Sequence, residues 1–149
     1  MSTEIFIKTN ISFSDFNAAL NHIADELLCK GIVKQSYRAA LFRREADFPT
    51  GIALEHHAVA IPHCEAEHAL KPAIYFIRPQ QKVAFQRADE DSMVDVEIII
   101  ALVVTDPQAQ LNVLKTLFGK LQDNQFVENL LTATDEHLPI LINQHLNFN

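Results

Sequence analysis

With 149 residues, 48% of them hydrophobic, the chain is the size of one domain and can build a continuous core without disulfides or metals. A formal charge of −7 argues against a nucleic-acid partner, and the two cysteines, Cys29 and Cys64, form no C-x-x-C pair, as expected in a reducing compartment. The opening Met1-Ser2-Thr3-Glu4 carries no basic leader and the longest nearly apolar stretch, Val96 to Val104, is too short to span a bilayer, so the expectation is one soluble, cytoplasmic domain over residues 1–149.

The first strong pattern is helical: Phe16, Ala19, Leu20, Ile23, Ala24, Leu27 and Leu28 share one face, with Ser14 as the candidate cap and Gly31 as the stop. A second helix is expected from near Ser36, turning Tyr37, Ala40 and Leu41 inward. It ends before Phe48-Pro49, because a residue preceding proline is pushed out of helical geometry, and this leaves Arg43, Arg44 and Glu45 at its C-terminal end. Short strand-like pieces follow at Gly51 to Leu54, Ala58 to Ile61, Ala73 to Ile77 and Lys82 to Phe85, then a solvated acidic loop at Asp89-Glu90-Asp91. Val96 to Val104 is apolar on both alternating faces apart from Glu97, the pattern of a central strand covered on both sides. Asp106-Pro107 supplies a cap and a first-turn proline for a helix carrying Leu111, Leu114, Leu117, Phe118 and Leu121. Two more helices are expected, one with Phe126, Val127, Leu130 and Leu131, the other with Leu138, Leu141, Ile142 and Leu146. This order predicts an α/β fold with a single mixed β-sheet flanked by helices on both faces.

Common catalytic signatures are missing. There is no G-x-x-x-x-G-K-[ST] and only three glycines in all, so nothing is suited to cradling nucleotide phosphates; G-x-S-x-G and H-E-x-x-H are absent too. His63-Cys64-Glu65 matches the H-x-E of zinc deaminases but lacks their P-C-x-x-C partner. His56, His57, His63 and His68 are metal-ligating residue types whose spacing fits no standard framework. The informative run is Ala58-Val59-Ala60-Ile61-Pro62-His63-Cys64, in which proline ends an apolar strand and histidine is the first residue free to turn outward at the strand's end. A largely neutral imidazole there can act as a base, a metal ligand or a phosphoryl acceptor, or be an ordinary surface histidine.

At Pro62-His63-Cys64 the segment resembles the phospho-acceptor signature of the phosphotransferase-system (PTS) enzyme IIA domains of the fructose and mannitol superfamily, in which an A-[IV]-P-H stretch carries the histidine phosphorylated by HPr. Leu41-Phe42-Arg43-Arg44-Glu45 resembles that family's helix end with its R-E pair, Thr50-Gly51-Ile52 the next turn, and Val96 to Val104 with the Asp106-Pro107 helix the elements that close the site. The similarity extends from about Ile11 to Leu146. The wording from Arg44 to Ala66 is most similar to galactitol-specific IIA domains.

The resemblance implies a phosphocarrier in which His63 takes the phosphoryl group from HPr and passes it to a IIB component, the membrane IIC component being served indirectly, with neither cofactor nor metal. Arg44 is implied as the donor to phosphoryl oxygens, a role its planar fork suits. A helix-end cation is its plainer reading, and Arg43 its substitute if the helix register shifts by one. Gln110 stands where mannitol and fructose types carry a second histidine; it can donate a hydrogen bond but cannot carry a proton. The segment from Arg44 to His63 is longer than in those relatives, so His57 is a candidate to lean over the site or a plain loop histidine. Cys64, where many relatives have glycine, is expected to pack rather than react. Two other readings remain, a regulatory module like the nitrogen-related members of the superfamily and a metal-dependent hydrolase built on the histidines.

Overall fold

The computed structural model describes residues 3–146. It opens with strand β1 (Glu4–Ile11), which the helical and proline signals did not announce, followed by helices α1 (Phe16–Cys29) and α2 (Tyr37–Asp47). The cap of α1 is Asp15 rather than Ser14: its carboxylate accepts the Ala18 backbone N–H at 2.9 Å. Gly31, at φ +70°, takes the left-handed turn that ends the helix.

Strands β2 (Gly51–Ala53), β3 (Ala58–Ala60), β4 (Ala73–Pro79) and β7 (Ile98–Val103) complete a five-stranded sheet in the order β1-β4-β7-β3-β2. It is mixed: β1 runs parallel to β4 and β3 parallel to β7, whereas β4–β7 and β2–β3 are antiparallel. All six residues of β7 are buried, as its two-faced apolar pattern predicts. The expected strand from Val96 to Val104 is nevertheless divided at Glu97. Val96 belongs to β6 (Met93–Val96), which pairs with β5 (Val83–Gln86) in a separate two-stranded ribbon.

Alternation along the strands sorts the core into two layers. Tyr75, Ile77, Ile99 and Ala101 face α1, α2 and the ribbon; Ile74, Phe76, Ile98 and Ile100 face α3 (Pro107–Leu121), α4 (Asn124–Thr132) and α5 (Leu138–His145). Helices therefore cover both faces. The apolar face of α3 is only partly used by the core: Leu117 and Leu121 are buried, but Leu111 remains 62% exposed and Phe118 47%. At Gly51 the ribbon passes so close to β2 that an added Cβ would lie 2.5 Å from the Gln86 carbonyl oxygen.

Candidate active site

The site lies where β3 ends. Ile61 N–H donates to the Thr50 carbonyl and the Pro62 carbonyl accepts from Leu102 N–H, so the chain stays extended and tied to its neighbours up to the proline. His63 then turns its ring back: Nδ1 is 2.7 Å from the Ile61 carbonyl oxygen. A carbonyl only accepts, so Nδ1 carries the hydrogen and the lone pair of the neutral ring sits on Nε2. Burial lowers the His63 pKa, the Ile61 hydrogen bond opposes this, the Arg44 charge lowers it further and Glu65 works weakly against. The net direction is down, which keeps the ring neutral and nucleophilic at neutral pH.

Arg44, on the last turn of α2, is near enough for its charge to act on this ring, and three features describe its own surroundings. Its guanidinium stacks 4.6 Å from the centroid of the Phe48 ring, Nη1 is 3.6 Å from Glu65 Oε2, and its buried Nε has no hydrogen-bond partner among the described residues. Arg43, one position earlier, is exposed. Gln110, in the first turn of α3, donates from Nε2 to the Cys64 carbonyl at 2.8 Å and so anchors the loop just beyond His63. The Cys64 thiol is buried and pushed up to about 12, by burial first and by Glu65 next, against the weaker pull of Arg43 and Arg44. A thiol held protonated in this way is a packing group rather than a nucleophile.

Beside His63 opens a cleft of about 420 Å³, floored by Ile52 and Ile61 and walled by Leu111, Leu114 and Phe118 of α3, with Lys115 as its charged member. The exposed apolar residues of α3 are thus the wall of this cleft. Helical periodicity identifies that face but cannot say whether it is covered.

His57 is not brought to the site. It precedes β3 whereas His63 follows it, six residues on, which puts roughly 20 Å of extended chain between them. Its ring is clamped instead between carboxylates, Nδ1 at 2.9 Å from Glu97 Oε1 and Nε2 at 2.8 Å from Glu128 Oε1. The other histidines form no metal cluster among the described residues: His56 lies 3.6 Å from Glu55, and His68 Nδ1 meets Ser36 Oγ at 2.8 Å while its Nε2 is 3.8 Å from Glu65. Two neighbours of the site went unread in the sequence. Glu65, two residues after His63, had a local signal as a counter-ion for Arg44; Lys115 had none, since only the docking of α3 brings it to the cleft.

A neutral imidazole with one free nitrogen, next to an under-partnered guanidinium at the rim of an apolar cleft, suits the handling of an anionic group delivered by another molecule. The family model described as phosphoenolpyruvate-dependent sugar phosphotransferase system, EIIA 2, matches residues 1–144, and the chain belongs to that family of phosphotransfer proteins. It is 52% identical over 136 residues to the PTS galactitol-specific EIIA component of Escherichia coli strain K12, spanning 91% of each chain. Among solved structures it is similar to enzyme IIA for mannitol in complex with phosphorylated enzyme IIB, from Escherichia coli (TM-score 0.71, 23% identity, 94% of both chains). It is also similar to the nitrogen regulatory protein IIA-Ntr of Neisseria meningitidis (TM-score 0.69, 24% identity, 91% of this chain and 92% of that one). No helix among the described residues is long and apolar enough to cross a membrane.

Proposed function

We propose that this chain is the phosphocarrier IIA component of a sugar-alcohol PTS, that galactitol is the sugar, and that His63 carries the phosphoryl group on Nε2. The observation that supports this most directly is the 2.7 Å hydrogen bond from Nδ1–H to the Ile61 carbonyl, which leaves Nε2 as the only nitrogen with a free lone pair. Nε2 attacks the phosphorus of phospho-HPr in line; the donor's bond to phosphorus breaks as the Nε2–P bond forms, and the electron pair leaves with the donor. The Nδ1 proton stays on the Ile61 hydrogen bond, where it balances charge in the phosphorylated ring. Arg44 exchanges its 3.6 Å contact with Glu65 for the phosphoryl oxygens, and Gln110 holds the loop at Cys64. A nucleophile of the IIB protein then attacks the phosphorus in line; its bond to phosphorus forms as the Nε2–P bond breaks and the electron pair returns to Nε2, the docking served by the apolar rim of Leu111 and Phe118.

The test is mass spectrometry after incubation with enzyme I, HPr and phosphoenolpyruvate, followed by addition of a galactitol IIB. One phosphate on His63, lost on adding IIB, is the expected result. His63→Ala should take none while melting like the wild type, because a half-buried loop side chain contributes little to the core. Phosphate on another residue would overturn the site, and a phosphate that no IIB removes would favour a regulatory role.

A further inference from the structure

Directly behind the acceptor loop lies a buried carboxylate that the transfer chemistry does not use. Glu45, adjacent to Arg44, is 4% exposed and Thr50 7%. The two are joined twice: the Thr50 backbone N–H donates to Glu45 Oε2 at 2.8 Å and the Thr50 hydroxyl donates to Oε1 at 2.8 Å. One residue is thereby held by both its backbone and its side chain, which leaves little freedom at its φ and χ1. The grip matters because of what Thr50 does next. Its carbonyl accepts from Ile61 N–H at 3.3 Å, and the carbonyl of Ile61 accepts the Nδ1–H of His63 at 2.7 Å. Gly51, immediately after Thr50, is fixed in its own ladder opposite Ala60, so Thr50 is the residue that joins this ladder to the end of α2, and the Glu45 grip closes that join.

We propose that Glu45 is a positioning residue for the phosphoryl acceptor: by gripping Thr50 at two points it aims the Ile61 carbonyl, and so selects the Nδ1–H tautomer and the outward direction of Nε2 on His63. The same carboxylate lies on the last turn of α2, one residue beyond Arg44, so the guanidinium and the imidazole are referred to a common anchor. Stability alone gives no reason for a charge at this position. Burial raises the Glu45 pKa, and the two Thr50 hydrogen bonds only partly reverse this, so the ionised group disfavours the folded state at neutral pH. An amide of the same size would avoid that penalty and could still meet Thr50 twice, its oxygen accepting from the N–H and its NH₂ donating to the hydroxyl, so only an apolar replacement removes the grip.

This inference rests on His63 being the phosphoryl acceptor, and its test is built so that the two can fail separately. Glu45→Met, Thr50→Val and Thr50→Ser are compared with the wild type by thermal melting, by ¹⁵N NMR of the His63 ring in the unphosphorylated protein, and by single-turnover transfer from phospho-HPr. Glu45→Met and Thr50→Val should remain folded, show a mixture of His63 tautomers and slow transfer about 10–100-fold, the scale expected when a reacting atom is misplaced by about an ångström. Thr50→Ser, which keeps both donors, should behave as wild type. If Glu45→Met does not fold, Thr50→Val decides alone. A single Nδ1–H tautomer with unchanged transfer in the folded variants, or a rate loss no greater than the unfolded fraction, overturns the proposal. If the wild type takes no phosphate on His63, it is the acceptor assignment that fails, and the tautomer measurement still decides what Glu45 does.

Discussion

Of the two arginines at the end of α2, Arg44 is the one half-buried against Phe48 and Glu65, and this makes their variants unequal. Arg44→Ala should slow phosphorylation of His63 by about two orders of magnitude, the scale for losing one preorganised charge-stabilising donor, whereas Arg43→Ala should change it little. Rapid-quench kinetics on the two variants checks the ranking. The same guanidinium helps to depress the His63 pKa, second to burial among the lowering causes. NMR titration of His63 should therefore give a midpoint below the ordinary 6.5, so that the ring stays nucleophilic into mildly acidic solution and loses its lone pair only as pH falls through that lowered value. In Arg44→Ala the midpoint should move upward. His57 shows the opposite case. Burial lowers its pKa, but hydrogen bonds to Glu128 and Glu97 and their charges outweigh burial, and the net direction is up. Because the folded pKa exceeds the unfolded one, the clamp's contribution is complete below about 6.5 and is lost as pH rises through the raised value. His57→Ala should cost about 1–2 kcal/mol at pH 6, by urea denaturation, and much less at pH 9, with phosphate uptake by His63 unchanged.

At the scale of elements, the join between β2 and the β5–β6 ribbon is the tightest near the site. Gly51 touches the Gln86 carbonyl from one side, and its own carbonyl accepts from Ala88 N–H at 2.8 Å. Ala88 is part of the cleft beside His63, so the ribbon forms part of the rim. Gly51→Ala must push backbone against backbone, and no flexible side chain can yield. A loss of about 1–3 kcal/mol in denaturant unfolding is expected, with a change in the amide chemical shift of Ala88; an unchanged midpoint would mean that the ribbon moves freely relative to β2. The acidic loop at the ribbon's tip, read as solvated, is held by Arg87, which bonds Asp89 at 2.9 Å and lies 2.9 Å from Glu90. Charge patterning correctly indicated exposure but not that a single arginine organises the turn.

For the whole molecule, the mixed sheet and its two helical layers follow from patterns visible along the chain: the two-faced apolar run of β7, the one-faced helices, and the capped start at Asp106. The strand–proline–histidine sequence was legible for the same reason, because proline's loss of an N–H acts within a residue or two of itself. β1 was not. Its alternation is indistinct, with burial intermediate at most positions, and its partner β4 lies some seventy residues away. Nor did the reading separate Val96 and Ile98 into different sheets: Glu97 marks the place, but one polar residue in an apolar run does not by itself say that the strand changes partners there. By itself, then, the sequence determined which segments form the helices and most of the strands, and that His63 follows a strand end, because propensity, capping and proline geometry are local. Only the tertiary structure decided that His57 is clamped far from His63, that Leu111 and Phe118 wall an open cleft, and that Glu45 is buried under Thr50. Those outcomes depend on which distant groups meet once hydrophobic burial has brought the elements together, and no spacing along the chain encodes such meetings.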